Sequence, residues 1–174
     1  YGVTNGKDHG RIWRIAGPDS KPAPSANLSR LSTRELAREV GSPLFWRRQT
    51  ARRLLAERQE KSAIPALVKL ANTAKEPAAV INALHTLDAL GGLKTDVIEI
   101  ALAHADADIR RQALRLAEPR LEAQPRLVGK ALLLSDDPAP QVRLQLALSL
   151  GATSDARVLP ALARLARQQG DDPW

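Results

Sequence analysis

A short sequence that recurs three repeat lengths later constrains the fold of this chain more than any other feature. Residues 64–71 read IPALVKLA, and residues 159–166 read LPALARLA, beginning 95 residues further on (159 against 64). That offset equals three steps of about 32 residues, and PRLV at 125–128 falls near the expected phase between them. In each copy the proline lies in a first helical turn, where its missing N–H is harmless.

A second set of sequence pairs recurs with the same period. Trp46-Arg47, Ala79-Val80, Ile109-Arg110 and Val142-Arg143 begin equivalent stretches, with spacings of 33, 30 and 33 residues. A period of this length is typical of stacked helix pairs. The pattern of apolar residues and of Gly and Pro breaks predicts helices over 33–40, 44–58, 62–73, 77–90, 95–104, 107–118, 124–134, 139–150 and 156–168.

The composition supports helices and excludes several kinds of chemistry. The 29 Ala and 27 Leu residues make up a third of the 174 residues, and both are strong helix formers. Aromatic residues are only 3%, which argues against an all-β fold. The chain has no Cys, so the sequence offers no disulfide, no thiolate metal site, no Cys nucleophile and no covalent haem attachment.

Two sequences at the start of predicted helices, each the second helix of its pair, resemble a known repeat. DADIRRQAL at 106–114 and DPAPQVR at 137–143 are similar to the Asp–x–x–Val–Arg–x–x–Ala second helix of HEAT repeats. The resemblance covers roughly residues 32–168. It implies an all-α fold, an α-solenoid of about four to five HEAT-like helix pairs, and a continuous core that includes residues such as Leu67, Leu70, Ala71, Leu84 and Leu87.

Residues 1–31 differ from the rest of the chain. The alternating DHGRIWRI at 8–15 predicts one short strand, and PDSKPAPS at 18–25 predicts a Pro-rich linker. Residues 1–15 resemble the closing strand of a sorbosone-dehydrogenase-like β-propeller. We therefore expect a domain boundary between 1–31 and 32–174, with the second part forming the HEAT-like repeat domain.

That resemblance also implies a larger context. In the bacterial putative membrane-bound dehydrogenases, such a propeller is followed by HEAT repeats and a cytochrome c domain. The order of strand, linker and repeats here is similar to the middle of that arrangement, which implies an extracytoplasmic or periplasmic location. The chain has neither the propeller body nor a Cys-x-x-Cys-His motif, so any oxidoreductase activity would belong to other parts of such a protein.

The net charge of +7 is confined to one region. Residues 1–61 hold 13 Lys and Arg against 6 Asp and Glu, whereas residues 62–174 hold 13 of each. A solenoid that reads nucleic acid would repeat its basic residues along its length and supply stacking aromatics. The distribution therefore favours a protein partner or a neighbouring domain over nucleic acid. No apolar stretch is long enough for a membrane span.

The helix predicted over 44–58 is the one candidate docking surface. Its Arg47, Arg48, Arg52 and Arg53, together with Trp46, could bind an anionic partner. We favour instead a solvated outer face, partly neutralised by Glu35 and Glu39 of the preceding helix. For Phe45-Trp46 we favour a core that caps the first helix pair over a binding anchor.

The remaining polar residues give no catalytic, cofactor-binding or metal site. We expect the in-phase Arg47, Arg110 and Arg143 to pair with Asp106, Asp108, Asp136 or Asp137, and we expect these aspartates to be helix N-caps. His9, His85 and His104 lie far apart, and only Asp88, three residues after His85, suggests a partner.

The sequence thus predicts a non-catalytic scaffold without a cofactor, as a segment of a propeller–HEAT–cytochrome c protein. A free-standing HEAT module that docks an acidic protein is the main alternative. A DNA-binding or glycosylase-like HEAT protein and a HEAT-like bilin lyase remain as further alternatives.

Overall fold

The structure, a computed structural model, describes residues 27–169, of which 74% are helical and none lies in a strand. The described part of the chain is therefore all-α. Its nine α-helices are α1 (Thr33–Glu39), α2 (Phe45–Glu57), α3 (Ile64–Thr73), α4 (Pro77–Ala89), α5 (Thr95–Leu102), α6 (Ala107–Ala117), α7 (Pro125–Leu132), α8 (Pro140–Leu150) and α9 (Val158–Gln169). Short 3-10 turns cover Leu28–Arg30, Lys61–Ala63, Glu118–Arg120 and Leu133–Asp136.

The predicted helices are confirmed, each with both ends within two residues of the observed bounds. Two of the larger differences arise where a 3-10 turn borders a helix, at Lys61–Ala63 before α3 and at Leu133–Asp136 after α7. The strand predicted over 8–15 and the linker predicted over 18–25 lie outside the described residues.

Local sequence signals explain several helix ends. Helix α1 begins with a capping box, in which the Ser32 side chain accepts from the Glu35 backbone N–H and the Glu35 side chain accepts from the Ser32 backbone N–H. Helices α4, α7 and α8 begin with a proline, whose missing N–H needs no partner there. Helix α4 is followed by its C-cap Leu90 and then by Gly91, which has a φ of 66° that favours glycine, and the Gly92 N–H bonds the Leu87 carbonyl.

The helices pack in consecutive pairs. Helix α1 contacts α2, α3 contacts α4, and α5 contacts α6; α7 joins α8 partly through the Leu133–Asp136 turn, and α8 also contacts α9. Between helix pairs, the first helix of one pair contacts the first helix of the next, so that α1, α3, α5 and α7 are in contact in succession. The second helix of each pair does the same, through α2, α4, α6 and α8. We call α2, α4, α6 and α8 the second helices.

One hydrophobic cluster extends through all the pairs, from Leu28 to Leu165. The predicted core residues belong to it: Leu67, Ala71, Leu84 and Leu87 are buried, and Leu70 packs against the cluster from the edge. Burial of this aliphatic surface is the main term that holds the helices together.

Candidate functional site

Three apolar side chains are exposed where α2 begins. Leu44, Phe45 and Trp46, which we call the α2 apolar corner, are 59%, 69% and 58% exposed. The interpretation of Phe45-Trp46 as a capping core is therefore wrong. Helix α2 packs instead through Ala51, Leu54 and Leu55, which lie on the face opposite to the aromatic pair's open side and are small or aliphatic. An exposed apolar cluster of this kind is typical of a binding surface.

Arg47 connects α2 to α1. Its Nε lies 2.7 Å from Glu39 Oε2 and its Nη2 lies 2.7 Å from Glu39 Oε1, which is a bidentate pair. The hydrogen bond to Glu39 raises the pKa of Arg47. Neutralisation by Glu39 is confirmed, but Glu35 does not contribute, because its carboxylate is held in the Ser32 capping box. The hydrogen bonds from Ser32 lower the pKa of Glu35.

Arg48 is also used within the first pair. Its Nη1 donates to the carbonyls of Ser42 and Pro43, both at 2.8 Å, and its guanidinium lies 5.9 Å from the centre of the Phe45 ring. Arg48 therefore holds the loop between α1 and α2 closed. The contact with Phe45 is a cation–π interaction at the distance limit of that class.

The recurring arginine of the second helices is Arg48, and the prediction that placed Arg47 in phase with Arg110 and Arg143 is wrong by one residue. Arg110 Nη1 donates to the His104 and Ala105 carbonyls, and Arg143 Nη1 donates to the Asp137 carbonyl. These acceptors lie five or six residues before the arginine, as Ser42 and Pro43 do before Arg48. The difference arises because α2 begins at Phe45, so that Arg48 is its fourth residue, as Arg110 and Arg143 are in their helices.

The last two arginines of the predicted docking surface differ in exposure. Arg52 is half-buried and faces α4, with its Nη1 3.5 Å from Asn82 Oδ1, which also accepts from Gln49 at 3.1 Å. Arg53 has a side chain that is 65% exposed, and its Nη1 lies 3.5 Å from Glu57. Of the five residues predicted for docking, Arg53 and Trp46 are therefore the ones that face solvent most fully.

Arg110 makes the most buried ion pair among residues 27–169. Its Nε lies 2.6 Å from Asp137 Oδ2 and its Nη2 lies 2.8 Å from Asp137 Oδ1, with side chains only 11% and 3% exposed. Burial by itself raises the pKa of Asp137, but the hydrogen bonds from Arg110 and the Ala139 N–H outweigh it, so the pKa is lowered. The predicted pairing of the recurring arginine with an aspartate of a neighbouring turn is confirmed here.

Only one of the four predicted aspartate caps is confirmed. The Asp106 side chain accepts from the Ile109 N–H at 3.1 Å and caps α6. Asp108 pairs with Arg111, and Asp136 pairs with Arg164 of α9. Helix α8 begins after Ala139 without a side-chain cap, because the Asp137 carboxylate is taken up by Arg110 and the Ala139 N–H.

The two histidines within residues 27–169 have hydrogen-bond partners. His85 Nε2 lies 3.0 Å from Gln112 Oε1, and His104 Nδ1 accepts from the Asp106 N–H. Asp88 pairs with Arg120 at 2.6 Å. Within residues 27–169 no group of three or more metal-ligating side chains comes together, and no helix there has the length and apolarity to cross a membrane.

Two exposed leucines on α8 were missed by the sequence reasoning. Leu144 and Leu148 are 63% and 64% exposed and lie four residues apart, on one face of the helix. Aligning the second helices by their first residues would have found them, because α6 has Arg111 and Arg115 at the same positions.

No protein-family model, curated protein or solved structure matches this chain. The functional interpretation therefore depends on the residues and contacts described above.

Proposed function

We propose that the chain is an α-solenoid of HEAT-like helix pairs that acts as a non-catalytic scaffold and docks an acidic protein surface at the start of α2. The resemblance of the second helices to HEAT repeats supports the architecture. The observation that carries the docking role is that Trp46 and Arg53, seven residues apart on the same side of α2, are both exposed, because aromatic side chains and arginines are enriched at interfaces.

The spacing of the side-chain hydrogen bonds supports the stacked arrangement. Bonds that leave one helix pair reach the next pair, and their partners are 27–33 residues apart, which is one repeat. They include Gln49–Asn82, His85–Gln112, Asp88–Arg120, Thr95–Gln124, Glu99–Arg126, Arg110–Asp137, Glu118–Ser149, Glu122–Ser154 and Asp136–Arg164. Contacts limited to neighbouring repeats are what defines a solenoid.

The side chains on α2 suggest what the partner presents. Arg47 is paired with Glu39 and Arg48 binds loop carbonyls, so both are already engaged within the first helix pair. Arg53 and the α2 apolar corner remain for direct contact. The matching partner surface carries carboxylates around an apolar or aromatic side chain.

The resemblance of residues 1–15 to a propeller strand supports a specific form of this role. In that form the repeats connect and orient an oxidising propeller and a cytochrome c domain of an extracytoplasmic protein. The alternative is a free-standing HEAT module with the same docking surface. A gene that encodes neither a propeller before these repeats nor a Cys-x-x-Cys-His motif after them would overturn the first form only.

The docking surface can be tested by fluorescence. Trp46 becomes the single tryptophan in the variant W13F/W174F, and its emission reports whether its environment changes. We expect a synthetic peptide that alternates Glu and Leu to shift this emission and to bind more weakly as salt rises. The variant R53A should weaken binding several-fold, whereas R115A, which removes an exposed arginine of α6, should not.

Two results would contradict the docking proposal. One is an emission spectrum that the peptide leaves unchanged at low salt. The other is an equal loss of binding in R53A and R115A, which would show attraction to net charge alone. Duplex DNA titrated at two salt concentrations provides the comparison with nucleic acid, and stronger binding to DNA than to the peptide would favour the DNA-binding alternative.

A further inference from the structure

The four second helices have one buried side in common. Counting the first residue of each helix as position 1, positions 7 and 11 are buried in all four. The residues are Ala51, Ala83, Ala113 and Leu146 at position 7, and Leu55, Leu87, Ala117 and Leu150 at position 11. Because successive residues of an α-helix are rotated by about 100°, positions 2, 5 and 9 lie on the opposite side of each helix. We call this side of the four second helices the open face.

The side chains on the open face change in character from α2 to α8. They are Trp46, Gln49 and Arg53 on α2, Ala78, Ile81 and His85 on α4, Asp108, Arg111 and Arg115 on α6, and Gln141, Leu144 and Leu148 on α8. All twelve residues are exposed or half-buried. The most exposed large apolar side chains lie at the two ends of this face, with the charged residues of α6 between them.

The two apolar ends of the open face are within reach of one polypeptide. Helices α2, α4, α6 and α8 are in contact in succession. Packed helices have axes 8–10 Å apart, so α2 and α8 are separated by about 24–30 Å. An extended segment of about nine residues covers that distance. A single partner chain could therefore contact Trp46 on α2 and Leu144 and Leu148 on α8 together.

We propose that the acidic partner bound at the start of α2 extends across the open face and places a second apolar segment on Leu144 and Leu148. This proposal rests on the docking role of α2 given above. Charge favours an acidic chain as the occupant, because the open face carries three arginines and a single acid, Asp108, which is paired with Arg111. The partner is thus a chain with carboxylates and two apolar segments about 24–30 Å apart.

Two synthetic peptides separate the second contact from the first. Both begin with the block ELELEL and continue with ten alternating Gly and Ser residues, which reach about 35 Å when fully extended. The test peptide ends with a second ELELEL block, whereas the control peptide ends with ESESES and so has the same length and charge. The spacer that crosses α6 is uncharged, so binding needs no contact with Arg115. Emission of Trp46 in the variant W13F/W174F measures binding of each peptide.

We expect the test peptide to bind about tenfold more tightly than the control peptide, because linkage raises the effective concentration of the second block at α8. The variant L144S/L148S should remove this difference and leave binding of the control peptide unchanged. The matched variant I100S/L133S should keep the difference, since it changes two exposed aliphatic residues outside the second helices.

Equal binding of the two peptides would overturn the second contact and leave the docking role of α2 in place. A difference that persists in L144S/L148S, or that is also lost in I100S/L133S, would overturn it as well. If neither peptide changes the Trp46 emission, the docking role of α2 fails and the second contact fails with it. Sedimentation without peptide tests a second copy of the chain as the occupant, and a dimer that L144S/L148S converts to monomer would overturn the proposal.

Discussion

The first helix pair and the pairs that follow use their charges in different ways. In the first pair, Arg47 and Arg48 bind groups of their own pair, Glu39 and the loop carbonyls. In the later pairs, Arg110 and Arg120 bind carboxylates of a neighbouring pair, Asp137 and Asp88.

The difference parallels the uneven charge of the chain. Across residues 62–174, where positive and negative residues occur in equal number, Arg110, Arg120, Arg126 and Arg164 each pair with an acid 27–32 residues away. The first pair has arginines in excess of its acids, and Arg53 and the α2 apolar corner face solvent. Ion pairs thus join the later helix pairs to each other, whereas the first helix pair leaves Arg53 and the α2 apolar corner exposed.

The largest expected effect separates buried from exposed leucines in the two regions. Leu114 is fully buried between helix pairs, and Leu114→Ala should lower the free energy of unfolding by about 4 kcal/mol through lost burial and a cavity. Leu44→Ala, in the α2 apolar corner, should change it by less than about 0.5 kcal/mol. Urea unfolding measures both, and a large loss in Leu44→Ala would show that the corner is structural.

The buried ion pair that joins two helix pairs, Arg110–Asp137, should have the next largest effect on stability. Asp137→Asn leaves the Arg110 charge without its carboxylate, so we expect a loss of about 3 kcal/mol in unfolding free energy. Asp136→Asn removes the neighbouring charge that pairs with exposed Arg164 and should cost at most about 1 kcal/mol. Equal losses in the two variants would contradict the distinction between buried and exposed pairs.

The ion pair inside the first helix pair, Arg47–Glu39, should contribute less to stability than Arg110–Asp137 does. Glu39→Gln weakens the contact with Arg47, whose side chain keeps access to water, and the loss in stability should be smaller than that of Asp137→Asn. Glu57→Gln, which removes the longer contact with Arg53, is the matched control and should leave stability nearly unchanged. Thermal unfolding at low salt resolves the order, and a reversed order would break the comparison between regions.

The smallest expected effect concerns acid pH. Hydrogen bonds from Arg157 lower the pKa of Asp155 from 3.8 to about 2. Because the folded state binds this proton less readily than the unfolded state, stability present above pH 3.8 is lost as the pH falls towards 2.

The variant Asp155→Asn should flatten that part of the stability profile. Asp108→Asn, at an exposed aspartate paired with Arg111, is the control for loss of one negative charge. Unfolding free energies measured between pH 5 and pH 2 check the difference. An unaltered slope in Asp155→Asn would mean that its pair with Arg157 does not persist in solution.

Much of the fold could be predicted from local signals. The helix bounds follow from neighbouring residues in the sequence. The signals are the prolines at the start of α4, α7 and α8, the Ser32–Glu35 capping box and the glycines after α4. Core residues such as Leu67 and Leu87 also follow from helical spacing.

The candidate site could be predicted only in part. The sequence shows that α2 is rich in arginine. Which of its guanidinium groups form ion pairs or hydrogen bonds depends on atoms from other segments. Glu39 reaches Arg47 across the turn between α1 and α2, and Asn82 reaches Arg52 from 30 residues away. The same helical pattern is compatible with either an exposed or a buried Trp46.

The sequence by itself determined the helices, their pairing period and the localisation of the net charge in residues 1–61, because these depend on residue type and on spacing along the chain. Only the tertiary structure decided that Arg48, rather than Arg47, occupies the same helix position as Arg110 and Arg143. It also decided that Asp137 binds Arg110 rather than capping α8, and that Trp46 and Leu144 face solvent. The physical reason is that burial and ion pairing are set by which helices meet, and the groups brought together can be far apart in the sequence, as Arg110 and Asp137 are at 27 residues.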